Sequence, residues 1–202
     1  MKTVIILIRH GQTEWNRIER FRGQVDIPLN VTGIEQAEKT ARQVTKQWKP
    51  SAIYSSPLSR AQQTAERIAR HCGLDVQTNV GLTDIHYGKW QGLTPAEVEE
   101  KWPELLSNWY RHPEMVLIPG GESLSMVRSR AILTVNQLCE QHPGQEIVLV
   151  SHTVVNRLIL LNVIDAKNDR FWQIKQEPCA INVFEKDNEA FIIHSINCVS
   201  HL

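Results

Sequence analysis

The sequence predicts an α/β fold, a three-layer α/β/α sandwich with a mostly parallel central sheet. Two apolar runs, residues 3–8 and 147–150, are rich in β-branched side chains and lack alternation, which is typical of strands covered on both faces. Stretches with a helical spacing of apolar residues separate the predicted strands. Strands that alternate with helices favour a sheet with helices packed against it.

A first amphipathic helix is predicted after the leading strand. Thr32 and Glu35 read as a capping box at its start, and Pro50 lies just beyond its end. Its apolar residues recur at three- and four-residue steps, so one side of the helix should face the sheet. These residues are Ile34, Ala37, Ala41, Val44 and Trp48.

A short strand, residues 52–55, and a second helix are predicted next. Ser56 is expected to be the N-cap of this helix and Pro57 its first residue, because a hydroxyl and a fixed φ suit those two positions. Gly73 is expected to end it. The side chains predicted to point inward are Leu58, Ala61, Ala65 and Ile68.

Three further helices and a hairpin are predicted in the rest of the chain. Thr94 and Glu97 repeat the capping pattern for a short helix that runs towards Trp109. A longer helix follows Gly120 and Gly121, and another follows the strand at 147–150. The predicted inward residues of the first of these helices are Leu124, Val127, Ala131 and Leu138, and those of the second are Val155, Leu158, Ile159 and Leu161. The hairpin is predicted to join strands 181–184 and 191–193 through Lys186, Asp187, Asn188 and Glu189.

The composition describes an ordinary globular chain of 202 residues, with 22 basic and 22 acidic side chains and 42% hydrophobic residues. Such a length fits one domain, so residues 1–202 are expected to form a single domain. The absence of a basic excess argues against nucleic acid as a partner, and no stretch is long enough to cross a bilayer. The cysteines favour reduced thiols in the cytoplasm, because they are widely spaced and lack a C-x-x-C pair: Cys72, Cys139, Cys179 and Cys198.

The most informative segment is residues 9–16, with the letters RHGQTEWN, directly after the first predicted strand. It resembles the R-H-G-x-T-x-x-N signature of the histidine phosphatase superfamily, the phosphoglycerate mutase-like family. Three further features of that family recur in order: SSPLSR at 55–60, LTDIHYGKWQG at 82–92 and VSH at 150–152. The resemblance covers nearly the whole chain and implies a phosphoglycerate mutase-like fold with phosphoryl-transfer chemistry.

Two histidines, His10 and His152, follow predicted strands. Ligands of α/β sheets bind outside the carboxyl ends of the strands, so both rings are expected at one site. A phosphoryl group needs fixed positive charge, and guanidinium binds phosphate oxygens in pairs, a role that suits Arg9 and Arg60.

The resemblance assigns roles to these residues. His10 is the nucleophile that would form a phosphohistidine, which suits an imidazole with an unperturbed pKa of about 6.5. His152 would donate to the equatorial phosphoryl oxygens. The predicted phosphate-binding set is completed by Asn16, Thr153 and backbone amides near Gly23.

One carboxyl group must protonate the leaving oxygen and later take a proton from the attacking water. The resemblance assigns this role to Asp84, although the family commonly has glutamate there, one methylene longer. If Asp84 does not reach the bridging oxygen, Glu122 is the next candidate and His86 the third.

These observations predict a metal-independent phosphatase that acts on a small phosphorylated metabolite. The chain looks like the broad-specificity phosphatases, the α-ribazole-phosphate phosphatases and the metal-independent phosphoserine phosphatases, which the sequence does not separate. No metal ligand set with supporting spacing occurs, so neither a metal nor a cofactor is predicted.

Two other functions compete with hydrolysis as interpretations of the sequence. A cofactor-dependent phosphoglycerate mutase is disfavoured because residues 92–119 offer only Lys101, Arg111 and His112 as positive or titratable donors. The aspartate at position 84 is the one feature that supports a catalytically idle phospholigand-binding module. A homodimer is compatible with the sequence, which does not determine the oligomeric state.

Overall fold

The computed structural model describes residues 1–188 and 190–202; Glu189, in the predicted hairpin turn, lies outside the described residues. Within them, six strands form one sheet in the order β3-β2-β4-β1-β5-β6. The strands are β1 (Thr3–Arg9), β2 (Ala52–Ser55), β3 (Val76–Thr78), β4 (Glu146–Ser151), β5 (Ile181–Asp187) and β6 (Ala190–Cys198).

The sheet is mostly parallel, as predicted. β1 pairs with β4, β4 with β2 and β2 with β3 in parallel, whereas β5 runs antiparallel to both β1 and β6. Arg9 lies opposite Ser151, and Ser55 lies opposite Val150. The carboxyl ends of three neighbouring strands therefore meet at one edge of the sheet.

Helices cover both faces of the sheet, which confirms the three-layer sandwich. On one face Ile6 and Val148 pack with alanines of the helices Val31–Gln47 and Ser59–Cys72; on the other Ile5 and Leu149 pack with the helices Leu124–Gln141 and Thr153–Val163. This pattern explains the missing alternation, since successive side chains of a strand covered on both faces all enter a core. The helices are α1 (Glu14–Arg17), α2 (Val31–Gln47), α3 (Ser59–Cys72), α4 (Pro95–Lys101), α5 (Pro103–Arg111), α6 (Leu124–Gln141) and α7 (Thr153–Val163).

The predicted start of α2 is wrong. Its N-cap is Asn30, whose side chain accepts from the Gly33 amide at 2.8 Å, whereas Thr32 is exposed. Ile34 is 40% exposed, and Gly33 takes the inward position instead. The first turn of α2 lies directly on the loop after β1: a Cβ at Gly33 would be 2.0 Å from the Gln12 carbonyl oxygen. Close backbone contact therefore decides which residue starts the helix.

The predicted start of α3 is also wrong. The helix begins at Ser59, where the Asp26 carboxylate accepts from the Ser59 amide at 2.7 Å, and Ser56 does not cap it. The Ser56 hydroxyl contacts His152 instead. The end of α3 is confirmed, because Gly73 adopts a left-handed conformation with φ of 67°.

The remaining elements agree with the predictions in most respects. Thr94 and Glu97 form the expected capping box of α4, but Trp102 separates this helix from α5, which Pro103 begins. Strand β3 and the four-residue helix α1 were not predicted. None of the helices in the described part of the chain has the length and apolar character needed to span a membrane. The predicted inward residues Leu124, Val127, Ala131, Leu138, Val155, Leu158, Ile159 and Leu161 are buried.

Candidate active site

The sheet brings His10 and His152 together, as predicted. His10 follows β1 and His152 follows β4, and because these strands are parallel neighbours the two ring centroids lie 5.1 Å apart. Both rings are fully buried. A pair of buried imidazoles at the strand ends is the centre of the site.

His10 is held as a neutral base. Its Nδ1 lies 2.7 Å from the Gly11 carbonyl oxygen, and because that oxygen only accepts, Nδ1 carries the proton. The Nε2 atom therefore keeps its lone pair and has no hydrogen-bond partner among the described residues. Burial, and then the charges of Arg60 and Arg9, hold the pKa of His10 well below its usual value. The ring is thus neutral at pH 7, and its Nε2 lone pair is free to act as a nucleophile.

His152 makes contacts on both sides of its ring. Nε2 lies 2.7 Å from the Ser56 hydroxyl, and Nδ1 lies 3.7 Å from Oδ2 of Asp84. Burial, followed by the charge of Arg60, holds the pKa of His152 well below its usual value. A neutral ring carries a single N–H, so the nitrogen that bears it decides what the ring can donate to.

Arg60 and Asp84 form a buried ion pair. Nη2 of Arg60 lies 3.1 Å from Oδ2 of Asp84 and donates to the Gly23 carbonyl at 2.7 Å, while Nη1 donates to the Val25 carbonyl at 3.0 Å. Burial lowers the pKa of Arg60, and the charge of Asp84 opposes that change. The Asp84 carboxylate thus lies within reach of both His152 and Arg60.

Arg9, the last residue of β1, is fixed from the opposite side. Its Nη1 donates to the Gln176 carbonyl at 2.5 Å, and the Gln176 amide in turn donates to Oδ1 of Asn182 at 2.8 Å. Burial lowers the pKa of Arg9 to about 9, so the guanidinium remains protonated at pH 7. Its Nε has no protein partner among the described residues. Donors of Arg9 therefore remain for a ligand.

The loop that carries Asp84 is anchored by Arg130 of α6. Nη1 of Arg130 donates to the carbonyls of Gly81 and Thr83, at 3.0 and 2.6 Å. Nη2 donates to the backbone carbonyl of Asp84 at 3.0 Å. One guanidinium thus holds three carbonyls of a short segment, which fixes the backbone from which the Asp84 side chain projects.

Glu122 and His86, the second and third candidates for the acid, belong to this anchor. Glu122 pairs with Nε of Arg130 at 3.0 Å and accepts from the His86 amide at 2.8 Å. Burial acts to raise the pKa of Glu122, but the hydrogen bonds from Arg130 and His86 outweigh it and the pKa lies below the usual value. The His86 ring accepts from the Gly88 amide at 3.1 Å. Both side chains are occupied in holding the loop.

The other predicted phosphate-binding residues have mixed surroundings. Oδ1 of Asn16 accepts from the amide and hydroxyl of Thr13, each at 2.9 Å. Thr153 begins α7, and its buried hydroxyl has no partner in the described chain. At Gly23 the φ of +52° favours glycine, and a Cβ there would lie 2.9 Å from the backbone carbonyl oxygen of Ile85, which leaves no room for a side chain. The Gly23 carbonyl binds Arg60, so its structural contribution is to position that arginine.

A cavity of about 450 Å³ opens beside this cluster, with Arg9, Asp84 and Thr153 in its lining. The fully buried rings of His10 and His152 do not line it. Arg157 of α7 lies in the cavity wall, 5.0 Å from the ring centroid of Phe171 and 4.9 Å from that of Trp172. The aromatic wall comprises Phe21, Tyr87, Trp109, Tyr110, Phe171 and Trp172.

Sequence reasoning did not place Arg22 and Arg157 in the site. The segment after the motif carries Arg17, Arg20 and Arg22, but only the tertiary structure separates them. Arg17 is exposed and pairs with Glu14, whereas Arg22 lines the cavity and its buried Nε has no protein partner in the described chain. Burial lowers the pKa of Arg22. The signal available in the sequence was the local density of arginine.

The fold and the site together define an enzyme of phosphoryl transfer. A neutral buried imidazole with a free lone pair, two fixed guanidinium groups and a carboxylate are grouped at the carboxyl ends of parallel strands. The sequence matches the histidine phosphatase superfamily, branch 1, over residues 5–199. The chain belongs to this family.

Several relatives are similar over nearly their full lengths. A metal-independent phosphoserine phosphatase from Arabidopsis thaliana is 36% identical, over 99% of this chain and 83% of the relative. The solved structure of Bacillus stearothermophilus YhfR has a TM-score of 0.94 at 28% identity, with 98% of each chain covered. A phosphoserine phosphatase mutant from Entamoeba histolytica, solved with phosphoserine, has a TM-score of 0.86 at 29% identity, with 99% of each chain covered. These similarities support hydrolysis of a small phosphomonoester.

Proposed function

We propose that the protein hydrolyses a small phosphomonoester through a phosphohistidine intermediate on His10. The observation that carries this proposal is the neutral, buried ring of His10. Its Nδ1–H donates a hydrogen bond to the Gly11 carbonyl, and its Nε2 lone pair has no protein partner among the described residues. A buried nitrogen base without a partner is costly unless a ligand uses it. In this proposal the Nε2 lone pair forms a bond to the phosphorus atom of the substrate.

In the first step Nε2 of His10 attacks phosphorus, and the bond to the leaving oxygen breaks. Arg9 and Arg60 bind the phosphoryl oxygens, on which charge is spread in the transition state. Asp84, ionised while it pairs with Arg60, takes up a proton from solvent as the phosphoryl oxygens occupy Arg60 and gives that proton to the leaving oxygen, so the product alcohol departs neutral. The contacts of Asp84 with Arg60 and His152 support this role for the shorter side chain, because they place the carboxylate beside groups that hold the phosphoryl oxygens.

In the second step water attacks the phosphohistidine, and the Asp84 carboxylate takes a proton from that water. The P–N bond breaks, inorganic phosphate forms, and the electron pair returns to Nε2 of His10. In this proposal Asn16, Thr153 and the backbone at Gly23 complete the surroundings of the phosphoryl group. Thr153 is supported by its place in the cavity lining, and Gly23 by its hydrogen bond to Arg60.

Hydrolysis is favoured over mutase activity by the surroundings of the cavity. Lys101, Arg111 and His112, the donors that residues 92–119 supply, are exposed and absent from the cavity lining in the described chain. Phosphoserine is the first substrate to try, because two relatives are named for it and the cations Arg22 and Arg157 suit a leaving group that carries a carboxylate.

Three further expectations belong to this proposal. A single sheet with strands from residue 3 to residue 198 supports one domain over residues 1–202. Four cysteines that are free in the structure support a reducing, cytoplasmic setting. A homodimer remains a prediction.

Phosphate trapping tests the proposal. The protein is mixed with ³²P-labelled phosphoserine or with p-nitrophenyl phosphate in the presence of a chelator, quenched, and assayed for protein-bound phosphate that is labile in acid and stable in alkali. We expect labelling and turnover in the wild type and in the His194→Ala control, and neither in His10→Ala. Acid-labile label that persists in His10→Ala, or turnover within tenfold of the wild type, overturns the proposal.

A further inference from the structure

Ser56, at the junction of β2 and α3, has a contact that helix capping does not explain. It is fully buried, and its hydroxyl lies 2.7 Å from Nε2 of His152. Its backbone is held on both sides: the amide donates to the Val150 carbonyl at 3.0 Å, and the carbonyl accepts from the Gln62 side chain at 2.8 Å. The hydroxyl is therefore presented to the imidazole from a fixed position.

Hydrogen-bond accounting gives the direction of this contact. The Leu58 amide donates to the Ser56 hydroxyl oxygen at 3.3 Å, so one acceptor position is used. A buried hydroxyl also needs an acceptor for its own proton, and among the described residues Nε2 of His152 is the acceptor within hydrogen-bond distance. Ser56 thus donates and the ring accepts at Nε2, which requires the ring N–H to be on Nδ1.

The Nδ1 atom is on the functional side of the ring. It lies 3.7 Å from the Asp84 carboxylate and has no hydrogen-bond partner in the described chain. Burial, and then the charge of Arg60, lowers the pKa of this ring, so it carries one N–H and not two. With the proton on Nδ1 the ring donates towards the phosphoryl site; with the proton on Nε2 it would present a lone pair to the phosphoryl oxygens.

We propose that Ser56 is a positioning residue for phosphoryl transfer: its hydroxyl holds His152 in the tautomer whose N–H is on Nδ1, facing the Asp84 carboxylate and the phosphoryl site. The effect on turnover rests on the proposed function, whereas the tautomer is a property of the free protein. In metal sites, removing an outer contact that orients a histidine ligand lowers metal affinity or activity about 10- to 100-fold. A similar loss is expected here.

The neighbouring serine offers a matched control. The Ser55 hydroxyl donates to the Ser56 carbonyl at 2.9 Å and makes no hydrogen bond to His152. Ser55→Ala and Ser56→Ala therefore delete the same atoms from adjacent buried positions, but only Ser56→Ala removes the contact with the ring. Ser56→Thr retains the hydroxyl and tests rescue.

Two measurements test the proposal: the ¹⁵N shifts of His152 in the free protein, assigned with His152→Asn, and steady-state kinetics. In the wild type and Ser55→Ala we expect N–H on Nδ1; in Ser56→Ala we expect a mixture of tautomers and a fall in kcat of about tenfold with KM changed less than threefold. Ser56→Thr should recover most of the lost rate, and a urea unfolding curve of Ser56→Ala that matches that of Ser55→Ala shows that the lost rate is not a loss of folding.

An Nε2–H tautomer in the wild type overturns the proposal, and so does Ser56→Ala with wild-type tautomer or with kcat within twofold of the wild type. A wild-type protein that forms no phosphohistidine refutes the proposed function instead, while the measured tautomer still decides the role of the serine.

Discussion

The phosphoryl site and the cavity beside it are built by different means. The proposed phosphoryl site consists of Arg9, His10, Arg60, Asp84 and His152, which project from the carboxyl ends of strands or from adjoining segments, and most of them make hydrogen bonds to backbone carbonyls. The aromatic wall consists of rings from distant parts of the chain that hold one another edge to face. Trp109, for example, lies 5.8 Å from Tyr87 and 5.9 Å from Trp172, measured between ring centroids.

From this contrast we expect the phosphoryl site to determine the rate of the reaction and the aromatic wall to determine which substrate is preferred. The groups proposed to react lie at or beside strand ends in a closely packed interior, which tolerates little movement. The rings of the wall are positioned by each other and are partly exposed, as Trp172 is at 39%. Substitutions in the phosphoryl site should therefore change the rate for every substrate, whereas substitutions in the wall should change the preference among substrates.

The largest effect is expected from Asp84→Asn, which removes the proton donor and leaves the shape. We expect kcat to fall about 10²- to 10⁴-fold for all phosphomonoesters, because proton transfer to the leaving oxygen is lost. Inhibition by inorganic phosphate should change far less than kcat. Asp165→Asn is the control, since residue 165 has φ of 53° and asparagine accepts that conformation. Wild-type kcat in Asp84→Asn would remove this residue from the mechanism.

A smaller effect is expected at Arg22, which lies where the two regions meet. Arg22→Gln should raise KM for phosphoserine about 10- to 150-fold with little change in kcat, because a hydrogen bond to a charged group contributes about 1.5–3 kcal/mol. The exposed Arg17→Gln is the matched control. Steady-state kinetics with both variants checks this, and equal KM values in Arg22→Gln and the wild type would show that Arg22 does not contact substrate.

A change in the preference between two substrates is expected from Trp172→Ala. Trp172 supports Arg157 and donates from Nε1 to the Trp109 carbonyl at 2.8 Å. Loss of one aromatic contact, about 0.5–1.5 kcal/mol, should change the ratio of kcat/KM for p-nitrophenyl phosphate and phosphoserine by about 2- to 12-fold. Inhibition by inorganic phosphate should stay the same. A uniform fall for both substrates would mean that the wall also supports the phosphoryl site.

A separate effect concerns the stability of the fold and not the rate: its dependence on pH. The folded-state pKa values of His10 and His152 lie below the unfolded value of about 6.5, so below that pH the unfolded chain binds protons that the folded chain does not. The free energy of unfolding should therefore fall as pH drops below about 6.5, by up to about 1.4 kcal/mol per pH unit for each ring.

Urea unfolding at pH 7.5 and 5.5 measures this difference. His10→Gln should make the fall with pH shallower, while Trp172→Ala, a change in the wall, should leave its slope as in the wild type. A steeper fall in His10→Gln, or the same slope, would show that the His10 ring is not held neutral by the fold.

The sequence alone predicted most of the fold and where the two strand-end histidines lie. The buried strands, the helix ends at Gly73 and Thr94 and the two strand-end histidines all follow from local patterns, and the structure confirms them. These features are local: apolar spacing, capping chemistry and a short motif lie within a few residues of one another.

Other features depend on contacts between distant segments. The helix starts assigned to Thr32 and Ser56 were wrong because a close approach of Gly33 to Gln12 and a contact of Ser56 with His152 take precedence over local capping preference. The same holds for the anchor that Arg130 provides to the Asp84 loop, 46 residues away along the chain.

Residue types and their order were thus enough to predict the reaction class, because phosphoryl transfer needs particular side chains at strand ends that neighbouring strands bring together. The orientation of those side chains was decided only in three dimensions. Which arginine turns inward, which nitrogen of His152 carries its proton and which rings form the wall depend on burial and on partners far apart in the chain, and a linear pattern contains neither.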